Sequence, residues 1–193
     1  VLFFNHDLKK LSDEALMEKA SQGSERALEV IYHRYSQPLL RYFYRMLWQD
    51  KPKAEDFLHD LFIRILDNRT TFDSSRKFST WLYSIAHNMC KNEYRRQAFR
   101  KQANSLIVIS DHTHESVSNH LDQLAFQQKL DQVLSEEDED VRAMFSLRFE
   151  LEMDVSEIAR VLQCPEGTVK SRLFYLKKRL ASRLQQYKLV LEK

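Results

Sequence analysis

The chain reads as all-α, with two small helical domains joined by a flexible linker. Only two glycines and three prolines occur in 193 residues, too few turn-makers for a sheet rich in tight hairpins. Apolar residues recur at helical spacing from Ser12 onward and again beyond Leu121. Between these stretches, Gln102 to about Ser118 has no helical period. The predicted division is a first domain over residues 1–101, a linker over 102–120 and a second domain over 121–193. A 43% hydrophobic and 30% charged composition allows a buried core and a well-solvated surface.

Ser12 suits an N-cap, with Asp13 and Glu14 in the first turn beside the positive helix end. That helix is expected to stop at Gly23, as the residue after the C-cap. Ser24 caps a longer helix whose apolar positions are Leu28, Ile31, Tyr35, Leu39, Tyr42 and Met46, with Pro38 as an expected kink. A third helix spans Ala54–Leu66. Phe57, Leu58, Leu61, Phe62 and Ile65 form its apolar stripe. The opposite face holds Asp56, Asp60, Ile63, Arg64 and Asp67, with His59 beside them. A solvated charged face accounts for that pattern, and Ile63 among the charges points to a partner surface.

Asn68–Lys77 reads as a loop. The helix that follows, from Phe78, buries Phe78, Trp81, Leu82, Ile85 and Met89. Ser84, Asn88, Lys91, Asn92 and Arg95 share another face, which is amide-rich and cationic. Amides can bond base edges and cations can hold phosphates. Trp81 at this spacing is a packing residue before it is a base-stacking one.

The segment "NSLIVIS" followed by "DHTHES" reads as extended linker. His112 and His114 lack further ligands at metal-binding spacing. In the second domain, Ser135 is expected to cap a helix beginning in the acidic run Glu136–Asp140. Its apolar positions are Val141, Met144, Phe145 and Leu151. Asp154 and Glu157 fit a capping box. After a break at Gln163 and Cys164, Pro165 is expected at the first position of a last helix. Val169, Leu173, Leu176, Leu180 and Leu184 run down its buried side. A short helix, a tight turn and a basic second helix make a helix-turn-helix, whose second helix enters the major groove by its N-terminal residues. Here those are Glu166, Thr168, Lys170, Ser171 and Arg172. Gly167, lacking a Cβ, is expected to let a phosphate or backbone approach closely.

The net charge of +2 conceals a polarity along the chain. Lys91–Lys101 holds five basic residues and one acid, and Glu166–Arg183 six and one. Residues 102–128 contain no Lys or Arg. Two basic segments apart in sequence predict two contacts with a polyanion. Two cysteines, Cys90 and Cys164, form neither a disulfide framework nor a ligand set, which fits a reducing cytoplasm. No run of about 18 apolar residues suggests a membrane span, so no direct membrane insertion is expected.

"AEDFLHDLFIRIL", "FSTWLYSIAHNMCKNEYRR" and "CPEGTVKSRL", in this order and spacing, resemble a bacterial RNA polymerase sigma factor of the sigma-70 family. The likeness is to the extracytoplasmic-function (ECF) group and covers about Ser12 to Leu184. It implies a sigma2-like and a sigma4-like domain and no catalysis. It implies that Asp56, His59, Asp60, Ile63 and Arg64 lie on a face that docks on the β′ clamp helices of core RNA polymerase. The β flap and promoter DNA are further implied partners, and an anti-sigma factor is a common one. Asn88 matches the base-contacting asparagine for the −10 element, with Lys91, Asn92, Arg95 and Arg96 close by. Lys170, Ser171 and Phe174 fall at matching positions for the −35 element, with Thr168 and Arg172 in the same stretch. The linker would pass through the polymerase toward the RNA exit path. His59 stands where the group usually has Gln, and Gln163 where the turn usually has Gly, Asn or Asp. Ser156 replaces a common acid.

Two other readings compete. A repressor or activator would explain the second half but not the amide-rich helix or the bare linker. A small helical enzyme would need converging catalytic groups. His87 and Cys90 share a helix face, but no third orienting group is visible. No catalytic residue, metal or cofactor is expected.

Overall fold

The structure is a computed structural model that describes residues 8–103 and 121–185. Among these, all regular structure is helical. In chain order the elements are α1 (Asp13–Ser21), α2 (Glu25–Met46), α3 (Lys51–Asp67), α4 (Phe78–Ala103), α5 (Leu121–Ser135), α6 (Glu139–Phe145), a π-helical turn (Ser146–Glu150), α7 (Val155–Leu162) and α8 (Glu166–Arg183). The predicted linker lies almost wholly outside the described residues, with His112 and His114 in it.

The caps of the first half follow the sequence. Ser12 Oγ accepts from the Ala15 N–H at 3.2 Å, and Ser24 Oγ from the Ala27 N–H at 3.4 Å. Gly23 sits at φ +96°, where a side chain would be strained. Helix α2 runs on through Pro38, which costs one ladder bond, to the Arg34 carbonyl. Arg34 also ties α2 to α1, bonding Asp13 at 2.5 Å and the Leu11 carbonyl at 2.9 Å.

Several boundaries differ from expectation. Helix α3 starts at Lys51, earlier than Ala54, because Asp50 caps it (Lys53 N–H to Asp50 Oδ1, 3.0 Å) and Pro52 is tolerated in the first turn. The chain reaches that cap through Trp48 and Gln49, both left-handed at φ 57° and 62°. Ser135 does not cap the next helix. It ends α5, its hydroxyl donating back to the Gln132 carbonyl at 2.7 Å, and Asp138 takes the cap position of α6. The helix with Val141, Met144 and Phe145 does not run to Leu151. It widens into the π-helical turn, closed by Leu151 N–H to the Ser146 carbonyl at 3.1 Å.

Helices α1–α4, the first helical unit along the sequence, and α5–α8, the second, pack together. Helix α7 lies on α4 and α6 on α2, and the buried apolar side chains of both units form one cluster. Polar contacts fasten the seam. Arg45 of α2 forks between Asp131 of α5 (2.7 Å) and Glu150 (2.5 Å), with its guanidinium 5.2 Å from the Phe145 ring centroid. Lys77 pairs with Glu157 of α7. Arg142 of α6 lies over the Tyr94 ring at 5.9 Å.

Candidate nucleic-acid interface

Helix α4 is long enough to serve the core and a surface at once. Phe78, Leu82, Ala86 and Met89 are buried. Trp81 is half-buried and packs on Phe72 and Phe78, with ring centroids 5.2 and 5.8 Å apart, so its role is packing. The helix start is held by α1, since Glu14 Oε1 accepts the Phe78 N–H at 2.9 Å. This fixes the outer stripe in place. Asn88, Asn92, Arg95 and Arg96 are exposed and Lys91 is partly so.

The second basic surface is built by α7 and α8. Asp154 and Glu157 complete the predicted capping box, with both reciprocal bonds at 2.8 Å. Gln163 ends α7 in the left-handed region at φ 54°, ψ 44°. It thus takes the conformation the turn demands at some steric cost. Pro165 occupies the N-cap of α8, one residue before the expected first helical position, so Gly167 is the second residue of the helix. A Cβ built on Gly167 meets nothing within 4 Å, so among the described residues nothing requires a glycine there.

Val169, Leu173 and Leu176 hold α8 to the core. Lys170 and Ser171 are exposed and Thr168 is partly so. Lys170 makes only an exposed pair with Glu166 at 3.6 Å. Arg172 is engaged, pairing with Asp140 of α6 at 3.1 Å. Phe174 is 58% exposed and stacks edge-on with Tyr175, also exposed, while Lys178 lies 5.6 Å over its ring. Tyr175 and Lys178 extend this surface. The sequence reading passed over both because they flank, rather than match, the familiar positions.

Asp56, His59, Asp60, Ile63 and Arg64 are all exposed on one side of α3. Ile63 and Leu66, each more than 40% exposed, adjoin at helical spacing. Tyr32 of α2, also exposed, packs on Phe62 with centroids 4.7 Å apart. This apolar extension from α2 was invisible to a reading confined to α3. On the second unit, an apolar groove between α5 and α8 is lined by Phe126, Leu130, Phe145, Phe149, Leu180 and Leu184.

His87 and Cys90 have no catalytic setting. Cys90 is fully buried, and burial pushes its thiol well above the ordinary range, the opposite of an activated nucleophile. His87 Nδ1 shares a hydrogen bond with the Tyr42 hydroxyl at 3.2 Å, and its Nε2 faces Asp140 at 3.7 Å without a hydrogen-bond partner. Burial pushes its imidazole down to about 4, against the pull of Asp140.

A stripe of amides and cations on one helix and a capped helix-turn-helix are two surfaces of the kind that suits a nucleic-acid-binding protein. Comparison with known proteins gives the family. The family model for Sigma-70 region 2 matches residues 31–100, and that for Sigma-70, region 4 matches 127–180. The chain is 30% identical over 188 residues to the ECF RNA polymerase sigma-E factor of Haemophilus influenzae, covering 92% of this chain and 97% of that one. It is 27% identical to the RNA polymerase sigma-H factor of Pseudomonas aeruginosa, over 92% of this chain and 96% of that one. Among solved structures, CnrH in complex with the cytosolic domain of CnrY superposes with TM-score 0.68 at 21% identity, over 90% of this chain and 97% of that one. The sigma factor RpoE of Bartonella quintana, solved with the anti-sigma factor NepR, gives 0.64 at 23% identity, over 80% and 96%. This chain belongs to the ECF group of sigma-70 RNA polymerase sigma factors, which direct transcription initiation to particular promoters.

Proposed function

We propose that α4 reads the −10 element and α8 the −35 element, while the α3 face holds the core polymerase. The observation that carries this is the exposed stripe Asn88, Asn92, Arg95 on a helix whose other side is locked into the core. Asn88 and Asn92 offer amides to unstacked bases, and Lys91, Arg95 and Arg96 hold phosphates. On α8, Thr168, Lys170 and Ser171 approach the major groove first, with Phe174 one turn further. Arg172 joins them only after giving up Asp140, or else serves to set the angle of α8.

On this reading residues 1–101 and 121–193 act as separate domains on the polymerase, with 102–120 connecting them. Asp56, His59, Asp60, Ile63 and Arg64 dock on the β′ clamp helices, with Leu66 and Tyr32 adding apolar contact. The groove between α5 and α8 suits an apolar element of the β flap. An anti-sigma factor is a further partner of this class. The protein works in the cytoplasm as a dissociable subunit, without catalysis of its own. No helix among the described residues is long and apolar enough to cross a membrane.

The packed arrangement must then open. His87, next to Asn88, is 3.7 Å from Asp140, which is 3.1 Å from Arg172 on the recognition helix. Promoter elements centred 25 base pairs apart lie on the order of 80 Å apart at ~3.4 Å per step. The two readers are thus far too close to engage both elements while packed.

Run-off transcription with core polymerase and a promoter library tests the reading. Promoter-specific transcripts that require this protein are expected. Their absence with several cognate core enzymes overturns it, and a repressor would direct no new initiation.

A further inference from the structure

We infer that Phe99 is a base-stacking residue at the far end of the α4 stripe, binding one unpaired base of the melted strand. The inference rests on the assignment of α4 to the −10 element. Phe99 is 73% exposed, the most exposed of the large apolar side chains described. Among the described residues no ring or cation packs against it. The helix on which it stands has an ample apolar side already buried, so the ring is not surplus core.

Its register is specific. Asn88, Asn92, Arg95 and Phe99 follow one another at 4, 3 and 4 residues, which at ~100° per residue keeps all four within an arc of about 60°. Phe99 therefore continues the row that begins with the two amides. Arg95 and Arg96 lie one turn back from it, within ~5–6 Å between Cβ atoms, and both are exposed. An exposed aromatic with cations on its flank fits a nucleic-acid strand, because the cations hold its phosphates while a base covers the ring. Such stacking tolerates any base identity, since every base has a π-face. Eleven residues at ~1.5 Å separate Phe99 from Asn88, ~16 Å in all. At ~3.4 Å per nucleotide in a stacked strand, and more in an unstacked one, that spans at most about five nucleotides. The predicted partner is thus a base at most about five positions from the one Asn88 contacts.

The test measures the full chain, assembled with core polymerase, binding a promoter fragment premelted across the −10 element. Single abasic sites are placed in turn along the non-template strand. On the intact strand Phe99→Ala is expected to lose about 5- to 150-fold in affinity, the range for one aromatic–base stack. Phe99→Trp is expected to retain wild-type affinity, and Phe99→Leu to resemble Phe99→Ala. At one abasic position the Phe99→Ala loss is expected to shrink below about threefold, because the base that covered the ring is gone. A loss that is equal at every abasic position overturns the inference, as does Phe99→Leu binding like wild type. Asn88→Ala runs in parallel. If it keeps its own coupled position while Phe99→Ala has none, the Phe99 inference alone falls. If neither couples to any position, the α4 assignment falls with it.

Discussion

Arg45 Nη2 and Glu150 Oε1 are 2.5 Å apart, although 105 residues separate them in sequence and they belong to different helical units. The Arg45 side chain is only 14% exposed. A buried guanidinium held by two carboxylates from the opposite unit is a fastener, and removing it leaves Asp131 and Glu150 facing each other uncompensated. Arg45→Ala is therefore expected to weaken the packing of the two units by about 2 kcal/mol, less than for a fully buried pair because the acids keep some water. Intramolecular energy transfer between dyes on α3 and α8 measures this. The variant should show a larger low-transfer population in the free protein, and unchanged transfer would mean that the seam rests on apolar burial alone.

The same seam is expected to respond to acid through His87. Packed against Tyr42 with Asp140 beyond it, the imidazole is held neutral, its pKa pushed down to about 4 by burial. When α6 moves away, the side of the ring that faces Asp140 meets water and the pKa rises toward ~6.5. The packed state thus keeps its full stability above ~6.5. It loses stability as pH falls from there toward 4, since the separated state binds the proton better. The shift corresponds to at most about 3 kcal/mol. Asp140 opposes the loss, and Lys91 on α4 adds to it. Titrating the free protein from pH 8 to 5 should raise the separated population, with the response blunted in His87→Gln. A flat response in the wild type would place His87 in equal surroundings in both states.

Surface residues give cleaner tests because their loss leaves the fold intact. Asp60 and Ile63 are exposed on α3. Asp60→Arg and Ile63→Arg should each lower core-polymerase affinity at least tenfold with the melting temperature within 2 °C of wild type, roughly the scatter for surface changes. Wild-type affinity in both would move the docking face elsewhere. Lys170→Ala should reduce the slope of log affinity against log salt by about one if the ammonium holds a phosphate. If it reads a base, sequence preference should relax instead, at ~1–3 kcal/mol. In both cases −10 opening should survive, whereas Asn88→Ala should impair opening and spare −35 binding.

Local chemistry was the legible part of this molecule. Ser12, Ser24 and the Asp154–Glu157 box are caps because short polar side chains reach their own helix N–H groups, a contact within three residues that sequence encodes directly. The stripe on α4 was legible for the same reason, since helical period alone gathers Asn88, Asn92 and Arg95. The seam was not. Arg45, Lys77 and His87 carry no mark of pairing with Glu150, Glu157 and Asp140, because those partners arrive only when two units meet. Ser135 misled because a serine before an acidic run is an equally good helix end, and its bond to the Gln132 carbonyl took precedence. The π-helical turn at Ser146–Glu150 has no breaker residue to announce it.

Gly167 brings the two kinds of information together. A glycine at the start of a basic helix suggested close approach, but the structure finds open space around the missing Cβ. Nothing among the described residues therefore opposes alanine there, and alanine favours a helix over glycine by up to ~1 kcal/mol, less in the first turn. Gly167→Ala should leave the melting temperature unchanged or slightly raised. If the space is where DNA comes in, the same variant should bind a −35 duplex less tightly, with −10 opening on a premelted fragment untouched. A stabilised variant with undiminished −35 affinity would mean that the glycine is a neutral occupant of an exposed first turn.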